Sequence, residues 1–509
     1  MNYEIRQFDT PLLRFSATED TSYPEIEILW VNNAQRNLLP LDLDVTAEGV
    51  SRWLRHRTIP KNRAYVRNFL SKCGLNLNRP LNIIKVSKGL SLNDCYWVAE
   101  EGFSGKFADY NLYDNRFSRV LALIAFTGYG SSVRTSLASC PEFTTNGMLP
   151  KCWRRENGTI KLYKGGTSGA SNTGNEPYSE FYAYQVAQAM GIKAIRYGLS
   201  KWKGVLCSTC DLFTNKDYAF LPVGHVVSSG GMNAVREYYH HLGHEFEQAM
   251  DDMLILDALI FNTDRHFGNF GFLVDNKTNQ IVAPAPLFDH GNSLFNYAGS
   301  DDLSSVETLK SYADTLFPCV YDDYVGTAKQ VLTSAHKEGL RHLLTFHFKK
   351  HPRYNLPNER LKLIEKVVAQ RAMDLLTDYS ALIEKAKRKL LCFFRFASLF
   401  MRYSPQPPRH YRQPQSPPQP PDRTPHPEHL IVRRFCPKNE VPPLSSLAKR
   451  GYLIFWAMPH NAKCRYGERG AAVDRFFLFY FLWVLNFLCP RRKRTTTRKS
   501  ITAAPMYSV

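Results

Sequence analysis

Seven apolar residues recur at helical spacing, Phe246, Met250, Met253, Leu254, Leu256, Leu259 and Ile260, and the pattern stops at Asn262. Such spacing marks a helix with a buried face. The polar segment that follows, Asn262-Thr-Asp-Arg-His-Phe-Gly-Asn269, is therefore a loop held at the end of a core element. Residues 270–274 and 280–283 are short apolar runs separated by the turn formers of 275–279, the signature of a β-hairpin. A second polar turn, Leu287-Phe-Asp-His-Gly291, follows the hairpin. Helix, loop, hairpin and turn in this order define an α+β unit that offers Asp264, Asn269 and Asp289 from neighbouring connections.

Those residue types suit phosphoryl transfer. Asn269 lies five positions after Asp264, and Asp289 twenty after Asn269, the order in which protein kinases present a base aspartate, a metal-binding asparagine and a metal-binding aspartate. Mg²⁺ takes hard oxygen ligands and keeps several waters, so one or two side-chain oxygens plus phosphates suffice to hold it. Asn269 and Asp289 supply such oxygens. Asp264 is the candidate to orient a hydroxyl and accept its proton, and Arg265 and His266 the candidates to fix the loop or touch phosphate. Two other readings compete. The segment is also what an ordinary polar turn looks like, and a metal hydrolase could use Asp264, His266, Asp289 and His290.

What lies upstream favours the first reading. Lys161-Leu-Tyr-Lys164-Gly-Gly166 alternates like a strand and ends in glycines, which puts Lys164 where it can reach phosphates. Asn175-Glu-Pro-Tyr-Ser-Glu180 begins a helix, with Asn175 expected as N-cap and Pro177 in the first turn, and Gly191 is expected to end it. Glu180 is the first candidate to hold Lys164, and Glu176 the second. Before the lysine strand, Phe143-Thr-Thr-Asn-Gly-Met-Leu-Pro-Lys151 is expected to be a turn joining two strands, with backbone N–H groups over phosphates. It is neither a GxGxxG nor a Walker A loop.

Together, Lys164-Gly-Gly, Asn175-Glu-Pro-Tyr-Ser-Glu180, Asn262-Thr-Asp-Arg-His266, Asn269 and Phe288-Asp-His-Gly291 resemble the HipA-like serine/threonine kinases, bacterial enzymes many of which are toxins of toxin–antitoxin systems. The resemblance covers about residues 1–385 and is weakest before residue 80. It implies a two-lobed, protein-kinase-like α+β fold with an N-terminal accessory subdomain, ATP and Mg²⁺ as cofactors, a serine or threonine acceptor on a protein, and an antitoxin-like partner. Asp264 matches the family's catalytic base, Asn269 and Asp289 its metal ligands, and Lys164, oriented by Glu180, its ATP lysine. Thr144, Thr145, Asn146, Gly147 and Lys151 match its phosphate loop, with His266 as a further nucleotide contact. The loop lacks the serine that some members carry. The alternatives are a nucleotide-binding pseudokinase that works through protein contacts and a small-molecule phosphotransferase.

The chain is expected to divide into an accessory subdomain (1–135), a small lobe (136–240), a helical large lobe (241–386) and a tail (387–509). The net charge of +19 suggests a polyanion partner, but residues 1–384 carry 41 basic and 41 acidic side chains, against 24 and 5 in 385–509. The body thus has no net field for nucleic acid. The tail is expected to be poorly folded: residues 404–429 are proline-rich, and 476–489 form an aromatic apolar run before Arg491-Arg-Lys-Arg494. That run is shorter than the roughly 20 residues of a spanning helix, yet could meet an anionic membrane. The 11 cysteines form no regular framework, and Met1-Asn-Tyr-Glu-Ile-Arg lacks the features of a signal peptide. A cytoplasmic location is expected. Cys207-Ser-Thr-Cys210 has metal or redox spacing, but its expected place is a strand near the ATP hinge.

Overall fold

The computed structural model of the chain describes residues 1–19, 21–132 and 140–377. The expectations for the proline-rich, basic and apolar segments of the tail lie outside these residues.

Three antiparallel sheets organise the fold. The first has the order β3-β2-β1-β4 and is built from β1 (Asn2–Gln7), β2 (Thr10–Ala17), β3 (Ile26–Val31) and β4 (Tyr96–Glu100). Ile5 pairs with Leu13 on one side and Val98 on the other. One sheet face is therefore apolar, and it packs on Val50, Trp53 and Leu54 of α1 (Ala47–His56). Thr46 starts α1 by accepting a hydrogen bond from the Gly49 amide. Helices α2 (Val66–Lys72), α3 (Pro80–Ser87), α4 (Phe107–Tyr110) and α5 (Arg119–Thr127) complete this region.

The second sheet has the order β5-β6-β8-β7, from β5 (Lys151–Glu156), β6 (Thr159–Gly165), β7 (Tyr197–Trp202) and β8 (Val205–Asp211). Both of its hairpins turn on two residues with positive φ, Asn157-Gly158 and Lys203-Gly204, the conformation that matches strand twist. Between them runs α6 (Glu176–Met190), ended by Gly191 at φ 73°. Asn175 occupies the N-cap position of α6 but makes no side-chain cap; its amide donates to the Asn296 carbonyl instead. The loop before β5 was expected to join two strands. A 3-10 turn, Pro141–Phe143, precedes it in place of the first strand, as the proline at its start favours.

Strand β9 (Tyr218–Pro222) pairs with β10 (Gly271–Asp275), not with the second sheet, and β10 pairs with β11 (Ile281–Pro284). The remaining elements are helical: α7 (Val223–Val226), α8 (Gly231–Leu242), α9 (His244–Ile260), α10 (Val306–Ala313), α11 (Tyr324–Val331), α12 (Ser334–Leu343) and α13 (Asn358–Leu376). They share a core that includes Val186, Leu254, Leu259, Leu340 and Val368. The large lobe is expected to run to 386; α13 ends at Leu376, where Thr377 is extended, and 378–386 lie outside the described residues. The result is a mixed α+β fold, with a sheet-rich lobe and a helical lobe on either side of a cleft. No helix among the described residues is long and apolar enough to cross a membrane.

Candidate active site

A cleft of about 870 Å³ is lined by residues from both lobes, among them Lys151, Lys164, Asp264, Asn269 and Asp289. Its size falls within the range of small-molecule sites. The lysines come from one hairpin: Lys151 and Lys164 are paired across β5 and β6, so both side chains leave the same face of the sheet.

Lys164 Nζ donates to Glu180 Oε1 at 2.8 Å and also to Asp289 Oδ1. Glu180 lies behind the cleft wall on α6, and its second oxygen accepts the His290 amide at 2.8 Å. A single carboxylate thus positions the lysine and the turn that carries Asp289. Burial alone would lower the Lys164 pKa, but Asp289 and Glu180 hold it above the ordinary lysine value. Burial would likewise raise the Asp289 carboxyl. Lys164 and then Lys151 outweigh it and hold that carboxyl well below the usual range. Lys151 receives less help. Burial, Lys164 and Arg63 push its pKa well below that of a free lysine, while its ammonium donates to the Asn146 carbonyl at 2.8 Å.

Asp264 and Asn269 sit in the connection between α9 and β10. Phe261 ends α9 in the left-handed region, and the chain then turns through a dense set of local bonds. Asn269 Nδ2 donates to the Asp264 carbonyl at 3.0 Å. That fixes the amide and leaves its oxygen as the candidate ligand atom. Asp264 Oδ2 accepts from Asn292 Nδ2 at 3.0 Å, while the Asn292 carbonyl accepts the Thr263 amide. The two polar turns are thereby tied to each other. His266 is part of the cleft lining, and its Nδ1 accepts the Gly268 amide.

Arg265 does not face the cleft. It is fully buried, forms a salt bridge to Asp257 at 3.0 Å, and donates to the carbonyls of Asn269 (3.1 Å) and Phe288 (2.6 Å) and to His290 Nδ1. One guanidinium therefore pins both loops to α9. Burial, with Arg265 adjacent, keeps His290 neutral, as its role as acceptor requires. His290 is thus committed to the protein interior and is not a metal ligand of the kind a hydrolase would need.

The phosphate-loop candidates divide. The Thr144 hydroxyl donates to the Leu90 carbonyl, and the Thr145 hydroxyl donates to the Pro141 carbonyl and accepts from Trp153 Nε1. Both hydroxyl protons are thus spent within the protein. Among the described residues, the amides of Thr145, Asn146 and Gly147 donate to no protein acceptor. Gly147 has φ 91°, and any side chain there would strike Lys151 Nζ. Main chain, not threonine oxygens, is what this loop presents. Glu176 does not hold Lys164: it bonds to Thr167 and Tyr297.

No protein-family model matches the chain. Over 162 residues it is 28% identical to the serine/threonine-protein kinase CtkA of Helicobacter pylori (strain J99). The aligned region is 29% of this chain, and the chain spans about half (49%) of that relative's length. Over that stretch the chain is similar to a serine/threonine-protein kinase. Among solved structures, the Helicobacter pylori proinflammatory kinase CtkA aligns at TM-score 0.36 and 18% identity, covering 46% of this chain and 95% of that one. HipA of Shewanella oneidensis MR-1, solved with HipB and operator DNA, aligns at TM-score 0.41 and 12% identity, covering 73% and 96%.

Sequence reasoning passed over several residues that build this site. Asp257 was hidden in an apolar helix, although a carboxylate flanked by Leu254, Ile255, Leu256, Ala258, Leu259 and Ile260 signals a buried charge with a partner. Asn292 carried no motif. Phe213, Phe220 and Phe288 meet at ring-centroid distances of 5.3–5.6 Å along the cleft. They form an apolar wall suited to a flat heterocycle. Cys207 and Cys210 lie on β8, with Cys207 in a small core beside Tyr163 and Cys210 lining the cleft.

Proposed function

We propose that this chain transfers the γ-phosphoryl group of ATP to a serine or threonine of a protein, with Mg²⁺ as cofactor. The observation that carries the proposal is the convergence of Lys164, Glu180 and Asp289 on one wall of a cleft whose other wall carries Asp264 and Asn269. The relationship to CtkA, whose name describes a serine/threonine-protein kinase, supports the same reaction.

The donor set fits Mg²⁺. Asn269 has a carboxamide oxygen left over from its bond to the Asp264 carbonyl, and Asp289 is held ionised; both are hard oxygen ligands. Bound there, the ion would neutralise phosphate oxygens. Lys164 is kept charged and oriented by Glu180 to grip the nucleotide. The amides of residues 145–147 and the Lys151 ammonium face the same space and add positive potential. Asp264, fixed by Asn292, orients the acceptor hydroxyl and takes up its proton. The aromatic wall at Phe213, Phe220 and Phe288 receives the base. A protein acceptor, an antitoxin-like partner and a cytoplasmic location complete the proposal on the strength of the family resemblance.

The test is transfer of labelled phosphate from ATP to protein acceptors by the full chain. Asp264→Ala and Asp289→Ala are expected to reduce it by at least about a hundredfold. Transfer at parental rates by both variants would refute the assigned roles.

A further inference from the structure

Away from the cleft floor, three metal-ligating side chains from distant parts of the chain meet at the junction between the N-terminal sheet region and the β9–α7 turn. Asp42 lies before α1, His56 is the last residue of α1, and His225 lies in α7. Asp42 Oδ2 is 2.9 Å from His225 Nδ1, 183 residues along the chain. The rings of His56 and His225 stack with centroids 4.3 Å apart. One ligand atom from each of the three residues lies within 4.8 Å of the other two. All three line a cavity of about 60 Å³, enough for an ion and a water. Arg57, next to His56, is engaged bidentately by Asp94, which leaves the Asp42 carboxylate to the histidines.

We propose that Asp42, His56 and His225 form a binding site for a divalent transition-metal ion, with zinc the best match. Two imidazoles and one carboxylate are a borderline-soft donor set that favours zinc over magnesium. Zinc–nitrogen and zinc–oxygen bonds of about 2.0–2.2 Å put tetrahedral donors roughly 3.3 Å apart. The Asp42–His225 pair, at 2.9 Å, therefore needs to open by a few tenths of an ångström, and His56 to close by at most about 1.5 Å. His56 lies exposed at the end of its helix. Three protein ligands leave a fourth position to water. The site is a clasp: it joins the N-terminal region to α7, where the Gly224 amide donates to the Phe267 carbonyl at 3.0 Å, inside the loop that carries Asp264.

The experiment titrates metal-stripped full-length protein with Zn²⁺ against a chromophoric chelator. Excess Mg²⁺ is present and nucleotide absent, so the readout is independent of phosphate transfer. One Zn²⁺ per chain is expected, with a rise in melting temperature. Asp42→Asn and His56→Gln should each weaken binding at least tenfold while melting like the metal-free parent. Co²⁺ in place of Zn²⁺ should show ligand-field bands without a thiolate charge-transfer band. The inference is overturned by an absence of zinc uptake, by binding that survives both substitutions, or by a thiolate band that assigns the ion to cysteines. If His56→Gln fails to fold, Asp42→Asn alone decides.

Discussion

Lys164 Nζ and Glu180 Oε1 lie 2.8 Å apart, with the lysine side chain 8% and the glutamate 1% exposed. Glu180 also holds the His290 amide. The lysine on the sheet and the turn bearing Asp289 therefore share one anchor, and what moves one of them strains the other.

Removing one member of a buried pair leaves an uncompensated charge and costs about 3–5 kcal/mol, while replacing both with apolar residues costs much less. Lys164→Met is expected to destabilise the protein by about 3 kcal/mol in urea unfolding. Lys164→Met combined with Glu180→Gln should recover part of that loss, because the pair's charges are removed together while an amide oxygen remains to accept the His290 amide. Neither variant should transfer phosphate. Recovery of stability without recovery of activity separates the structural use of the pair from its use in binding nucleotide.

Arg265 reaches Asp257, two carbonyls on different loops and His290 at once. Lysine keeps the charge but lacks the planar fork. Arg265→Lys is expected to cost about 3 kcal/mol in urea unfolding. It should also lower phosphate transfer, because the turns carrying Asp264 and Asp289 lose their common pin. Unchanged stability would show that this guanidinium is not what holds them.

Lys151 is pushed well below the ordinary lysine pKa by burial, with Lys164 and Arg63 adding to it. Triphosphate beside it would shift it back upward. On the proposed function, ATP binding at mildly alkaline pH should therefore take up a proton. Calorimetric binding enthalpies measured in buffers of different ionisation heat detect this as a positive slope. Lys151→Met should abolish the slope even where nucleotide still binds.

Asp251 on α9 has its pKa raised to about 6, chiefly by burial. A carboxyl whose folded pKa exceeds its unfolded value destabilises the fold when ionised. The cost is absent below about pH 3.8, grows between pH 3.8 and 6, and is fully present above that. Asp251→Asn should be more stable than the parent at pH 7 by about 1 kcal/mol, a figure reduced for solvent screening at a half-buried site. The advantage should vanish near pH 4. Thermal unfolding of both proteins across pH 4–8 measures it.

The polar loop at the end of α9, the β10–β11 hairpin and the lysine strand were legible because each rests on local chemistry. Helical spacing of Phe246 to Ile260 places the loop, turn formers at 275–279 close the hairpin, and alternation in β6 aims Lys164. What stayed hidden depends on contacts remote in sequence. That the carbonyls of Leu90 and Pro141 claim the Thr144 and Thr145 hydroxyls is one such contact.

The sequence by itself determined which residues are the candidates for the chemistry and in what order they come, because residue type and short spacing are properties of the chain. Only tertiary structure decided that Glu180, not Glu176, meets Lys164, that Arg265 faces inward to Asp257, and that Asp42, His56 and His225 assemble at one junction. A buried charge must find its partner wherever packing delivers one, and packing is set by the whole core, not by the neighbours in line.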